Sequence, residues 1–142
     1  MKKPEFGKYL KERYEDQVAW YDRRAVLYKR LNYIFQMPTI LIAAVVPIFA
    51  VLENKWTTVV LSTMMAILTG ITNLCKFEEK WHSYRTTCET LKKEYFFYKS
   101  KINEYRDAAE PEELFVERVE SAISREHTKW LVTEKGKKKE SK

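Results

Sequence analysis

The 142 residues carry 26 Lys and Arg against 20 Asp and Glu, a formal net charge of +6, with 32% of positions charged and a mean hydropathy of -0.50. Those averages resemble a soluble domain, but the distribution argues against one: charge is absent from Tyr33 through Leu52 and again from Trp56 through Cys75. A single small domain has too little remaining polar mass to bury two adjacent uncharged helices.

From the N-terminus, Phe6, Leu10, Tyr14, Val18, Tyr21, Ala25, Tyr28 and Leu31 recur at steps of three or four. This predicts an amphipathic helix over 5–32. Nothing breaks it before Tyr33, so it is expected to run into the first apolar block and bend where Pro38 and Pro47 remove backbone donors.

The two blocks, 33–52 and 56–75, are each about 20 residues long, and a helix of that length spans a hydrocarbon layer of roughly 30 Å. A charged stretch holding Arg13, Asp16, Asp22, Arg24 and Arg30 precedes the first block. That order is unlike a cleaved leader. The linker Glu53-Asn54-Lys55 forces an antiparallel hairpin.

Basic residues set the expected orientation. Arg23, Arg24, Lys29 and Arg30 precede the first block, and Lys76, Lys80, Arg85, Lys92 and Lys93 follow the second. Both termini are therefore predicted in the cytoplasm, in a multi-pass protein of the cell membrane. The net charge, reinforced by Lys135, Lys137, Lys138 and Lys139, is expected to face an anionic inner leaflet. Nucleic acid is not an expected partner, because no recognised binding motif accompanies the lysines. Cys75 and Cys88 are expected to be reduced apolar fillers.

After the second block, Phe77, Trp81, Tyr84, Cys88, Leu91, Tyr95, Tyr98, Ile102 and Tyr105 alternate steps of four and three. This is a heptad seam. The same register continues back through Leu74, Gly70, Ile67 and Thr63, which predicts one rod from Trp56 to Arg106, about 75 Å long, with a cytoplasmic part over 76–106. Aromatic residues dominate the seam and suit packing against two other helices.

The N-terminal helix is one expected partner of that seam. The other is a helix over 111–132, opened by Pro111 with Glu112 and Glu113 in its first turn, whose apolar face is Phe115, Val119, Ala122, Ile123 and Trp130. The fold class is thus all-α: a two-span membrane hairpin with long cytoplasmic helical extensions and a C-terminal cytoplasmic helix, oligomeric. Residues 1–134 form one domain, and 135–142 are expected to be a disordered basic tail.

No catalytic constellation is visible. His82 and His127 stand at no metal-ligand spacing, and no glycine loop could cradle phosphate. An enzyme, a metal and a cofactor are not expected. Within the second block, Ser62, Ala66, Thr69 and Asn73 share one helix face, which in a bilayer must meet protein or water. Two readings stay open, helix-to-helix contact and a pore wall with Ser62, Thr69 and Asn73 as lining candidates. Glu53, at the hairpin tip, is a further candidate at an outer mouth. In the first block Thr39, Ala43, Pro47 and Ala50 form a small-residue face.

Trp20-Tyr21-Asp22, then Trp81, Tyr84-Arg85, Glu89, Leu91-Lys92 and Glu94, then Phe115, Glu120, Glu126-His127 and Trp130 form a pattern that resembles the SLATT-like family of two-transmembrane proteins, in its branch of domain of unknown function 4231. The resemblance implies a membrane pore, an effector of a bacterial stress or defence response, with a cytoplasmic signalling protein as a further partner. The segment Lys101-Ile102-Asn103-Glu104 departs from the glycine-bearing turn of that pattern and is expected to keep the helix running. Among the matching residues, Trp20, Asp22, Trp81, Arg85, Glu89, Glu94, Glu126 and Trp130 are expected to form a buried cytoplasmic lock, with Arg85 beside Glu89 and Glu126 docked nearby.

The leading expectation is a homo-oligomeric channel or pore. The alternative is a membrane-anchored interaction or scaffold module without transport activity.

Overall fold

Apolar periodicity translates into five helices in a computed structural model, which describes the backbone of residues 3–140 and the side chains of 4–126 and Thr128. They are α1 (Lys3–Tyr9), α2 (Glu15–Val51), α3 (Lys55–Cys75), α4 (Phe77–Ser100) and α5 (Pro111–Glu140). A π-helical turn, Leu10–Tyr14, joins the first two, and a 3-10 turn, Asn103–Arg106, lies between the last two. No strand occurs among the described residues. Two of these helical stretches are long and apolar enough to cross a membrane.

The chain divides into two compact units, Met1–Arg23 with Ser83–Lys142, and Arg24–His82. In the first unit the expected three-way packing is present. Phe115 is fully buried, and its ring centroid lies 5.8 Å from that of Phe6, 5.4 Å from Tyr14 and 5.2 Å from Tyr98. Leu91 and Cys88 of α4 and Val119 of α5 are buried in the same cluster. The π turn explains how the N-terminal segment joins it. Tyr14, Val18 and Tyr21 keep a spacing of four and three, which extrapolates back to Gly7, yet Phe6 is the buried residue. One extra residue in the wider turn shifts the phase and brings Phe6 inward.

In the second unit the half-buried residues of α2 include Tyr28, Asn32, Phe35, Thr39, Ile42, Val46 and Phe49, an unbroken alternation of four and three. Those of α3 include Thr58, Leu61, Met65, Leu68, Thr72 and Cys75, spaced in the same way. These stripes are the seam of a helical hairpin. Its turn is a Schellman motif. Glu53 takes positive φ (56°), Asn54 N–H donates to Phe49 O at 3.2 Å, and Glu53 N–H donates to Ala50 O at 3.2 Å. Asn54 then caps α3, its side chain accepting from Thr57 N–H at 3.3 Å. Pro38 and Pro47 lie within α2 without ending it.

The predicted rod from Trp56 to Arg106 is broken twice. At Lys76 the backbone is left-handed (φ 48°, ψ 48°), and Lys76 N–H donates to Thr72 O at 3.0 Å. That residue ends α3 before α4 begins at Phe77, and it resets the helical phase. Leu74 and Ile67, on the extrapolated seam, are therefore 85% and 57% exposed, while Leu68 and Cys75 turn inward.

The second break overturns the expectation that Lys101–Glu104 stays helical. Lys101 (φ 50°) and Asn103 (φ 59°) are both left-handed, and a second Schellman pair forms, Ile102 N–H to Phe97 O and Lys101 N–H to Tyr98 O, each 3.3 Å. Tyr105 is buried as the heptad required, but from a 3-10 turn. A side chain in the left-handed region costs about 1–2 kcal/mol, part of which glycine returns as unfolded-state entropy. Lys101→Gly is therefore expected to stabilise the protein by about 0.5–1 kcal/mol, read as a higher melting temperature; a lower one would place the strain elsewhere.

The helix α5 runs to Glu140, and the last two residues of the basic tail lie outside the described ones. After Pro111 no proline interrupts it, lysine is a good helix former, and lysines near a helix C-terminus suit its dipole.

Candidate functional site: a polar cleft in the hairpin

The second unit holds a cleft of about 550 Å³. Asn32, Gln36 and Thr39 of α2 line it together with Thr69, Thr72 and Asn73 of α3. Lys76, Phe77, Glu78 and Glu79 line it at the α3–α4 joint. The arrangement follows from helix geometry. Asn32, Gln36 and Thr39 follow one another at steps of four and three, and Thr72 and Asn73 lie three and four residues after Thr69, so each set occupies one side of its helix. Phe77 packs under the cleft, its ring 5.4 Å from Phe35 and stacked on it.

Two of the four pore-lining candidates, Thr69 and Asn73, meet here, and both are exposed. Ser62 continues their face along α3, half-buried and outside the cleft. Glu53 is exposed at the hairpin turn, the far end of α3. The sequence reading missed Asn32, Gln36 and Thr72 as members of this site. Their signal was available as uncharged polar residues spaced three or four apart beside an apolar stripe.

Hydrogen bonding fixes the polarity of the lining. Thr39 Oγ1 donates to Phe35 O and Thr72 Oγ1 to Leu68 O, each at 2.8 Å. Asn32 Nδ2 donates to Gln36 Oε1 at 3.2 Å. The Lys76 ammonium is paired with Glu79.

The expected lock is distributed differently. Trp81 falls in the second unit, where Lys29 Nζ lies 5.6 Å from its ring centroid. In the first unit Trp20 meets Tyr84 edge-on at 5.7 Å, and Asp22 accepts from Lys92 at 3.2 Å with Arg85 at 3.8 Å. Arg85 donates to Glu89 at 2.7 Å as expected, but these side chains are 49% and 60% exposed, so the pair is not buried. Exposed pairs contribute about 0.2–1 kcal/mol. Glu126 is the buried acid, and it accepts from Tyr21 Oη at 3.3 Å. Glu94 accepts from Tyr105 Oη at 2.9 Å and from Arg118 at 3.5 Å, and Arg118 also pairs with Glu104, which ties the 3-10 turn to α4 and α5. The side chains of Trp130 and His127 lie outside the described residues.

A stronger fastening joins Arg13 and Glu120. Arg13 Nε and Nη2 donate to the two carboxylate oxygens at 3.2 and 3.1 Å, and Tyr9 Oη adds a third bond at 3.0 Å. Bidentate geometry makes this the best-formed ion pair of the unit. Each partner is next in sequence to a core residue, Tyr14 or Val119, which is the signal that could have revealed it.

Both carboxylates at these fastenings titrate low: the bond from Arg13 depresses Glu120, and the bond from Lys92 depresses Asp22. A depressed folded-state pKa contributes stability above the unfolded value, about 4 for carboxylates, that is lost as pH falls through the folded value. The melting temperature is expected to fall as pH is lowered from about 5 to about 3, with a shallower fall in Glu120→Gln. Identical slopes in the variant and the parent would remove the pair from the acid response.

No cluster of three or more metal-ligating His, Cys, Asp or Glu side chains occurs among the described residues. No curated protein and no solved structure matches the chain. A family pattern does match, over residues 16–113, a span that takes in α2, α3, α4 and the first residues of α5. The chain belongs to the family described as Protein of unknown function (DUF4231).

Proposed function

We propose that this protein is a homo-oligomeric membrane channel or pore, with α2 and α3 crossing the bilayer and both termini in the cytoplasm. The observation that carries the reading is the polar cleft on helices otherwise apolar enough to span a membrane. None of the apolar window of either helix is buried within the chain, so these windows need lipid or other subunits to cover them. Thr69 and Asn73 need something else. Uncharged polar side chains exposed on a spanning helix are stable against protein or water and costly against lipid. A ring of copies with the clefts toward its axis meets both requirements.

The basic residues beside the spans suit an anionic inner leaflet. The first unit, a packed three-helix body outside the spans, is a natural place for a cytoplasmic signalling partner. An effector of a bacterial stress or defence response is the setting that the family resemblance suggests.

The test is ion flux through liposomes carrying the purified protein, with oligomer mass measured in the same preparation. Flux from a defined oligomer supports the channel. A silent oligomer favours the alternative, a membrane-anchored interaction module, and a silent monomer removes the pore.

A further inference from the structure

We infer that the hairpin cleft binds a monovalent cation, through oxygen atoms whose hydroxyl protons are already committed to the backbone and through the carboxylate of Glu78. The inference rests on the channel reading, since it names the class of ion that the same cleft serves.

An anion site needs donors aimed at the ligand, and a cation site needs acceptors. Two of the lining hydroxyls have already spent their donors. Thr39 and Thr72 give their protons to Phe35 O and Leu68 O, so each hydroxyl oxygen retains lone pairs for a ligand. Asn32 gives an amide proton to Gln36, and its own Oδ1 remains an acceptor.

Charge at the joint points the same way. The Lys76 ammonium is held by Glu79, and Lys80 Nζ stands over the Tyr28 ring, 5.5 Å from its centroid. Glu78 lines the cleft and enters no ion pair among the described residues. The first turn of α4 would favour an anion through its dipole, but Glu78 and Glu79 occupy that turn and offset it. The local balance is one uncommitted carboxylate with several neutral oxygens.

That balance selects the valence. Calcium and magnesium sites recruit several carboxylates or tightly ordered waters. Here Glu79 is consumed by Lys76, and no cluster of acidic and metal-ligating residues occurs among the described residues. Weak-field neutral oxygens with a single charge suit a potassium-like ion, as rings of carbonyl oxygens do in selectivity filters.

The test is binding of thallium(I), a potassium surrogate, to the full-length protein in phosphatidylcholine nanodiscs, followed by its NMR shift. The expected result is saturable binding that potassium displaces. Glu78→Gln should weaken it about threefold, as expected for removing one charge several ångströms away in a wet cleft. Thr72→Val, which keeps the shape and removes an oxygen, should weaken it by a similar factor. Glu89→Gln, in the other unit, should leave it unchanged. No saturable binding, or binding indifferent to Glu78→Gln in an oligomer of unaltered mass, overturns the inference; Glu78 is exposed, so that variant tests the site even if Thr72→Val fails to fold. Binding without liposome flux would sustain the cation site and remove the channel. Chloride flux without thallium binding would do the reverse.

Discussion

Phe115→Ala is expected to destabilise the first unit by about 3–5 kcal/mol, the range for truncating a buried phenylalanine. Phe115 has no exposed surface, and the rings of Phe6, Tyr14, Tyr95 and Tyr98 surround it. Those rings come from two separate segments of the chain, the N-terminal helical stretch and α4. Backbone connections limit how far they can collapse into the vacated space, so most of the cavity cost remains. A domain of this size has a total stability of about 5–15 kcal/mol, and the loss should lower its melting temperature by more than about 10 °C.

Cys88 supplies an independent readout. It is fully buried, and burial pushes its thiol pKa up, so in the native protein it should resist maleimide. In a Cys75→Ser background, Phe115→Ala should make Cys88 label rapidly at temperatures where the parent does not. Phe96→Ala, at a 59% exposed ring, should change neither quantity much. Unchanged melting in Phe115→Ala would mean that the ring cluster does not hold the unit together.

The second large effect concerns conduction. Asn73→Leu should reduce liposome flux about tenfold or more, because an apolar side chain in a polar constriction raises the barrier to a hydrated ion, and about 1.4 kcal/mol is a factor of ten. Thr69→Leu should act in the same direction. Both side chains are exposed in the single chain and line its cleft, so neither change should disturb the hairpin seam through Leu68 and Cys75. Oligomer mass separates the readings. Lost flux with intact mass indicates a lining role, lost mass indicates subunit contact, and a conducting oligomer indifferent to both changes takes this face out of the pathway.

Much of the fold was legible in the chain. Two charge-free blocks of the right length and a short linker specify a hairpin, since few other arrangements satisfy both the apolar surface and the chain connection. The aromatic repeat from Phe77 to Tyr98 specified a helix with one buried side, and Cys88 and Leu91 occupy that side. Pro111 marked the start of α5. The cleft was half legible. Thr69 and Asn73 stood out as polar positions in an apolar block, but their companions on α2 depend on how the two helices are rotated about their axes.

That rotation is set by turns and packing that join distant parts of the chain. A heptad read along the sequence keeps its phase only while the helix is continuous, and one left-handed residue, Lys76, shifted the inward side of α3 from Ile67 and Leu74 to Leu68 and Cys75. Lys76, Lys101 and Glu53 adopt that conformation without being glycine, so composition carries no sign of it; the capping bonds and packing around each turn impose it. Pairing was also beyond the sequence. Arg13 finds Glu120 across 107 positions, while Arg85 stays at the surface with Asp22 and Glu89. Periodicity and charge act locally, and they fix the helical class, the two apolar blocks and the hairpin connection. Which faces meet, and which charges pair, depends on distant segments coming together.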